Sequence, residues 1–292
     1  MRFGVVTLLR LEDVTRTVLP PDQPALTILN GVSLTVSPGD RVSIVGRSGS
    51  GKSTLLNLMG LLDLPTSGVL EFDGRPAKSI SGAARDRMRG ARIGFVFQQF
   101  NLLPGRTALE NVTMPLHYAE GRQFWRRRTL AAEMLEQVGL GHRLDSMPDR
   151  LSGGEQQRVA IARSLVRGPE LILADEPTGA LDLDTGQSVM ELIDEVATRT
   201  GAALVTITHD PAIARRAHDH YRLDRGVLTR VDDPADLHGD APPAAATIAG
   251  DAPPACDTTS PYRTGEILAG KIPAGGSTGP GPSTSPTPGA DS

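Results

Sequence analysis

The stretch "RVSIVGRSGSGKST", Arg41 to Thr54, decides the fold. It opens as a short β-branched run closing on Gly46, and it ends where an apolar helical pattern, "STLLNLMGLL", begins at about Lys52. Between them Gly46, Arg47, Ser48, Gly49, Ser50, Gly51, Lys52 and Ser53 fit G-x-x-x-x-G-K-[ST], a loop between a strand and a helix. Glycines let backbone N–H groups close around phosphate oxygens without a Cβ in the way. The helix N-terminus adds partial positive charge. Lys52 is placed to reach β- and γ-phosphates and Ser53 to ligate Mg²⁺, and Thr54 is the last of the phosphate-binding residues.

The rest of the chain is long enough to build a core around that loop. It has 292 residues, 39% of them hydrophobic, and a formal net charge of −4. The acids Asp232, Asp233, Asp236, Asp240, Asp251, Asp257, Glu266 and Asp291 face only Arg263 and Lys271 in the C-terminal part. The remainder is close to neutral, so no nucleic-acid partner is expected. One cysteine, Cys256, allows neither an intrachain disulfide nor a cysteine-built metal site, which fits a reducing compartment. The apolar run Val5–Leu9 is too short for the core of a signal peptide, and no run approaches the length of a membrane span. Any membrane role is therefore expected to need a partner.

Strand and helix patterns alternate after the loop. "IGFVFQ" (Ile93–Gln98), "LILAD" (Leu171–Asp175) and "AALVTIT" (Ala202–Thr208) read as strands, the last two buried on both faces. A helical pattern lies between Gln98 and Leu151, clearest over Thr129–Val138. This order predicts an α/β core with a helical insertion at about 99–168. From Asp232, and most plainly from Gly239, the composition turns to Pro, Ala, Gly, Thr and Ser, the composition of a disordered tail over 232–292.

The strand tips carry chemistry. Asp175 ends a buried strand beside a phosphate loop, where a carboxylate is the expected second Mg²⁺ partner. Glu176, one residue on, is expected to point elsewhere and polarise an attacking water. Taken without the loop, "DEPTG" could equally be an acidic turn. His209 closes the strand Ala202–Thr208, placing it for a γ-phosphate contact rather than a purely structural role. Gln98 ends another strand, where its amide could touch both Mg²⁺ and the attacking water.

A second glycine-opened helix start lies at "LSGGEQQ", Leu151–Gln157. Ser152 and Glu155 form a capping box. Gly153 and Gly154 leave first-turn N–H groups accessible, which makes a second anion site beside the purely structural reading as a cap. Two glycines in a first turn cost roughly 1 kcal/mol each against alanine, which calls for a functional reason.

Together these residues resemble the ATP-binding-cassette (ABC) ATPases over about Leu8 to Val231. The motifs are the phosphate loop Gly46–Ser53, the Q-loop glutamine Gln98, the signature Leu151–Gln157, the Walker B strand Leu171–Asp175 followed by Glu176, the D-loop Gly179–Asp182 and the switch histidine His209. "GFVFQQFNLLP", "ALENV" and "ADEPTGALD" are most similar to the lipoprotein-release and macrolide-export branch. The resemblance implies a P-loop (RecA-like) α/β core, an N-terminal antiparallel β subdomain and a helical subdomain, all within 1–231. It implies ATP and Mg²⁺ as cofactors, with Glu176 and His209 catalytic and Ser53, Gln98 and Asp175 at the metal. It further implies a homodimer or heterodimer of ATPase subunits, in which Ser152, Gly153, Gly154 and Glu155 serve the partner's ATP, and it makes Asp182 the D-loop residue. Integral membrane permease subunits would then hold a cytoplasmic chain on the inner face of the membrane.

Val18 stands where many members of the family carry an aromatic residue that stacks on adenine, which implies weaker base stacking. "WRRR", Trp125–Arg128, reads as a solvated basic face, with a lipid or partner contact as the alternative. Phe100, Leu102 and Leu103 are the expected apolar lining of a permease-binding groove. The alternative function is a non-transport ABC ATPase of DNA repair or translation. A short, cysteine-free interval between the phosphate loop and the signature, and a single cassette, run against it.

Overall fold

The computed structural model describes residues 7–21 and 23–233. The expected tail falls almost wholly outside the described residues, as do Val5 and Val6 at the start.

Two sheets organise the chain. The first is antiparallel: β1 (Leu9–Val18) lies between β2 (Leu26–Val36) and β4 (Ser67–Phe72), and the short β5 (Arg75–Pro76) extends the β4 edge. It is the antiparallel subdomain that the resemblance implied. The second sheet has the order β10–β9–β3–β8–β7–β6. Its strands are β3 (Arg41–Val45), β6 (Ile93–Phe97), β7 (Leu171–Asp175), β8 (Ala203–Thr208), β9 (Asp219–Asp224) and β10 (Val227–Val231). All pairings here are parallel except β9 with β10. Strand β8 is buried along its whole length and β7 up to Asp175, which is why the two read as continuous apolar runs.

Helices cover this second sheet. Helix α1 (Lys52–Met59) joins β3 to the shared core of both sheets, through Leu55, Leu56, Leu58 and Met59. It ends at Gly60, earlier than the sequence pattern suggested. A Cβ there would lie 2.3 Å from the Phe95 ring, so the close approach of β6 fixes both the glycine and the stop. Helix α2 (Gly82–Arg92) leads into β6. The insertion holds α3 (Ala108–Thr113), α4 (Gly121–Trp125) and α5 (Arg127–Gln137), around a core of Leu109, Val112, Leu116, Leu135 and Val138.

Helix α6 (Gly153–Leu165) is shared by two cores. Ile161 and Leu165 pack with the β-sheet and α7 (Leu183–Thr200), while Val159 and Ala162 pack with the insertion. The short α8 (Pro211–Ala214) follows β8. Movement of the insertion against the sheet is therefore felt at α6, and also at Met134 and Leu192, which pack against both cores.

Candidate nucleotide-binding and hydrolysis site

Parallel register brings the predicted residues to one edge. Val45 pairs with Thr208, Asp175 with Ile207, and Phe97 with Asp175. The next residues of those strands, Gly46, His209, Glu176 and Gln98, therefore emerge side by side at the C-terminal edge, where open α/β sheets bind ligands.

The phosphate loop is shaped by its glycines. Gly51 caps α1 with φ 105°, in the left-handed region that only glycine enters without strain. A Cβ on Gly46 would lie 2.4 Å from the Leu223 carbonyl oxygen and 2.7 Å from Ser50 Oγ. Ser50 Oγ is buried with no hydrogen-bond partner within the chain. Lys52 Nζ donates to the carbonyls of Gly46 (2.7 Å) and Arg47 (2.9 Å), folding the lysine back over the loop. A cradle that tolerates no Cβ, a buried unpaired hydroxyl and a folded-back ammonium fit a phosphate chain. Arg47, Ser48, Gly49 and Ser53 are exposed on it.

The metal side is sparse in protein ligands. Among the described residues no group of three His, Cys, Asp or Glu side chains could hold an ion. Ser53 and Asp175 offer one hydroxyl and one carboxylate, which suits Mg²⁺ taking its other oxygens from phosphates and water. Burial pushes the Asp175 carboxyl above the usual range, the charge of Glu176 adds to that, and Lys52 opposes it. A cation nearby would reverse the strain.

Glu176 departs from the expectation of a free carboxylate. Its Oε1 lies 2.7 Å from His209 Nδ1, and its Oε2 accepts from Thr208 Oγ1 at 3.2 Å. Register explains the pairing, because residue 176 continues β7 beside the tip of β8. Glu176 also has φ 45°, and its N–H donates to the Ile207 carbonyl. This strained, pinned conformation is of the kind that collects at functional sites. His209 is exposed, with its Nδ1 against the Glu176 carboxylate.

The signature forms the capping box read from the sequence. Ser152 Oγ accepts from the Glu155 N–H at 3.3 Å, and Glu155 accepts from the Ser152 N–H at 2.8 Å and from Arg143 at 3.1 Å. Glu155 is thus held inside the cap. Asp182 caps α7 by accepting from the Thr185 N–H at 3.0 Å. The two motifs share one hollow of about 450 Å³, lined by Ser152, Gly153, Gly154, Asp182 and Thr185 among others. No residue of the phosphate loop lines it.

Gln98 is exposed, and its amide lies against Gly179, where a Cβ would be 2.8 Å from Nε2. The loop after it is held by Arg163, which donates to the carbonyls of Phe100 (3.1 Å) and Asn101 (2.7 Å). Of the three expected groove residues, Leu102 packs partly into the insertion core and Leu103 is exposed. Trp125 is 80% exposed, and Arg126 pairs with Glu133, in keeping with a solvated basic face. Val18 ends β1 opposite Leu26, beside the exposed Leu19.

Sequence reading missed Gln157 and Arg163 as site residues. Gln157 is a polar position on the buried side of α6, and that misplacement was the available signal; Arg163 is half-buried and gave none.

A phosphate loop on β3, acids at the tip of β7 and a glycine-opened helix facing a separate hollow define a P-loop nucleoside triphosphatase of the ATP-binding-cassette class. Residues 29–179 match the family described as ABC transporter, and the chain belongs to it. It is 48% identical over 201 residues to the lipoprotein-releasing system ATP-binding protein LolD of Shewanella frigidimarina, covering 69% of this chain and 84% of that protein. It is 46% identical over 224 residues to the macrolide export ATP-binding/permease protein MacB of Syntrophobacter fumaroxidans, covering 76% of this chain but only 31% of that protein. Among solved structures, a dimeric ATP-binding cassette in a post-hydrolysis state with ADP and Pi bound matches at 39% identity and TM-score 0.69, over 80% of this chain and all of that one. The chain is an ATP-binding, ATP-hydrolysing protein of the lipoprotein-release and macrolide-export branch. The repair and translation alternative finds no support among these relatives.

Proposed function

We propose that this chain is the energising subunit of a transporter of the lipoprotein-release or macrolide-export type. Two copies, or this chain and a related one, close head to tail around ATP, and hydrolysis lets them reopen. The reading is supported by one observation above the others: the signature and D-loop line a hollow that contains none of the chain's own phosphate-loop residues. One chain thus presents two half-sites, and head-to-tail pairing completes both.

Within a completed site the residues divide the work. The loop amides and Lys52 hold the phosphates, and Lys52 exchanges its carbonyl partners for phosphate oxygens. Ser53, Asp175 and Gln98 would hold Mg²⁺, which supplies charge neutralisation at the phosphates. Glu176, pinned by Thr208 and His209, orients a water and takes its proton. His209, anchored to that carboxylate, would contact the γ-phosphate. Ser152, Gly153 and Gly154 supply the opposing helix N-terminus to the partner's nucleotide.

Among the described residues no helix is long and apolar enough to cross a membrane. Permease subunits would hold the chain at the membrane, with Phe100 and Leu103 near their docking groove. Size-exclusion chromatography of Glu176→Gln tests the closure. ATP with Mg²⁺ should shift the chain to dimer, and EDTA or omission of ATP should return it to monomer. A chain that stays monomeric with saturating ATP and Mg²⁺ contradicts the reading.

A further inference from the structure

Gln157 is a polar residue with no exposed surface, on a helix face otherwise filled by apolar side chains. Its Nε2 donates to the Pro177 carbonyl at 2.7 Å and to the Phe97 carbonyl at 3.4 Å. Its Oε1 is buried with no partner. Exchanging the amide nitrogen and oxygen would turn an acceptor toward two carbonyls, so the orientation is dictated by its surroundings.

The placement of those carbonyls matters. Pro177 directly follows Glu176, and Phe97 directly precedes Gln98. Gln157 itself lies three residues beyond Gly154 and four beyond Gly153, one turn down the same face of α6, about 5 Å along the axis. A single amide therefore ties the glycine-opened end of α6 to the backbone on which both the water-orienting carboxylate and the Q-loop amide are mounted. Its donors meet two backbone carbonyls that apolar packing would leave without this partner, and the amide holds both segments at the cost of one buried unpaired oxygen.

We propose that Gln157 is a positioning residue that couples the two nucleotide sites of the dimer. When the signature end of α6 engages the partner's nucleotide, Gln157 draws the carbonyls of Pro177 and Phe97 with it, bringing Glu176 and Gln98 of its own subunit into register for hydrolysis. This rests on the head-to-tail reading above. Gln157 touches neither nucleotide, so its loss affects turnover and leaves closure intact.

The test uses Gln157→Met, which keeps the volume and removes both donors, and Gln157→Leu, which is slightly smaller and removes them too. Rates are taken per folded chain, with the folded fraction read from thermal denaturation. In otherwise wild-type chain, kcat should fall roughly tenfold or more, while the ATP concentration for half-maximal rate changes less than about twofold. In the Glu176→Gln background, the yield of ATP-closed dimer should match that of Glu176→Gln alone. An unchanged kcat, or closure falling in parallel with turnover, would overturn the proposal. Failure of both variants to fold would also overturn it, by making Gln157 a folding determinant. A wild-type chain that neither hydrolyses ATP nor closes defeats the dimer reading before Gln157 is altered. Wild-type turnover with unaffected variants defeats only the coupling role.

Discussion

Thr208→Val removes one hydroxyl while preserving shape, and the site geometry fixes what should follow. Thr208 is fully buried, donates to Glu176 Oε2 at 3.2 Å and accepts from the Asp210 N–H at 3.0 Å. A bond to a charged acceptor contributes about 1.5–3 kcal/mol, and the length here argues for the lower end. The Asp210 N–H lies near the surface and recovers part of its loss from water. The net cost is about 2 kcal/mol, which for a domain of this size lowers Tm by about 4–8 °C. Turnover should suffer separately, because Glu176 keeps only His209 as an anchor. If the ~1.5 kcal/mol of the lost bond is expressed at the transition state, kcat falls about tenfold. The half-saturating ATP concentration should hold, since Thr208 faces the carboxylate and not the phosphate loop. Steady-state hydrolysis and differential scanning calorimetry on Thr208→Val and Thr208→Ser read both effects, and the serine variant should recover most of each. A full Tm loss with wild-type kcat would refute the idea that Thr208 positions Glu176.

Three further outcomes are expected. Glu176→Gln should retain ATP binding by calorimetry while hydrolysis drops to near background, because an amide cannot take the proton from water. Val18→Tyr should tighten ATP binding by about 1–3 kcal/mol, roughly 5- to 150-fold in Kd, by supplying a stacking face; calorimetry with ATP and GTP checks it. Glu155→Ala should cost about 1 kcal/mol in urea unfolding at pH 7. The Ser152 backbone N–H above all, with the Ser152 hydroxyl and Arg143 adding to it, holds the Glu155 carboxyl below its usual range against the opposing desolvation. That stability is present above the unfolded pKa of about 4.3 and is lost as pH falls through the lower folded value. The gap between Glu155→Ala and wild type should therefore shrink toward pH 3.

Much of this site was legible in the sequence because its signals are local. The phosphate loop, the Ser152–Glu155 cap and the strand Leu171–Asp175 each lie within one contiguous stretch, and each appears where spacing put it. What sequence could not supply was pairing across strands. The Glu176–His209 contact joins residues 33 positions apart and follows from the β7–β8 register. Gln157 reads as an ordinary helix residue until the carbonyls of residues 97 and 177 are seen beside it. The early stop of α1 required knowing that Phe95 packs on Gly60. Leu102, read as groove lining, turns partly into the core of the insertion.

The most direct test of head-to-tail completion mixes two defective chains in the Glu176→Gln background. One carries Lys52→Ala, with a broken phosphate loop and a sound signature. The other carries Gly153→Asp, whose carboxylate repels phosphate. Position 153 has room for a side chain, with its nearest neighbours 3.7 and 3.8 Å from the added Cβ, whereas a Cβ at Gly154 would meet Thr185 at 2.5 Å. Each chain alone forms two damaged sites. Mixed, they form heterodimers with one intact site, in which the Lys52 of the second chain faces the signature of the first. A wild-type phosphate loop and signature paired with a chain carrying both substitutions is the control, because it is damaged at every site in trans but holds one intact site in cis. ATP-closed heterodimer, captured through different affinity tags on the two chains and counted by size-exclusion chromatography, should rise on mixing the single variants and stay low in the control. Closed heterodimer in the control, with none above background in the mixture, would contradict completion of each site by the partner's signature.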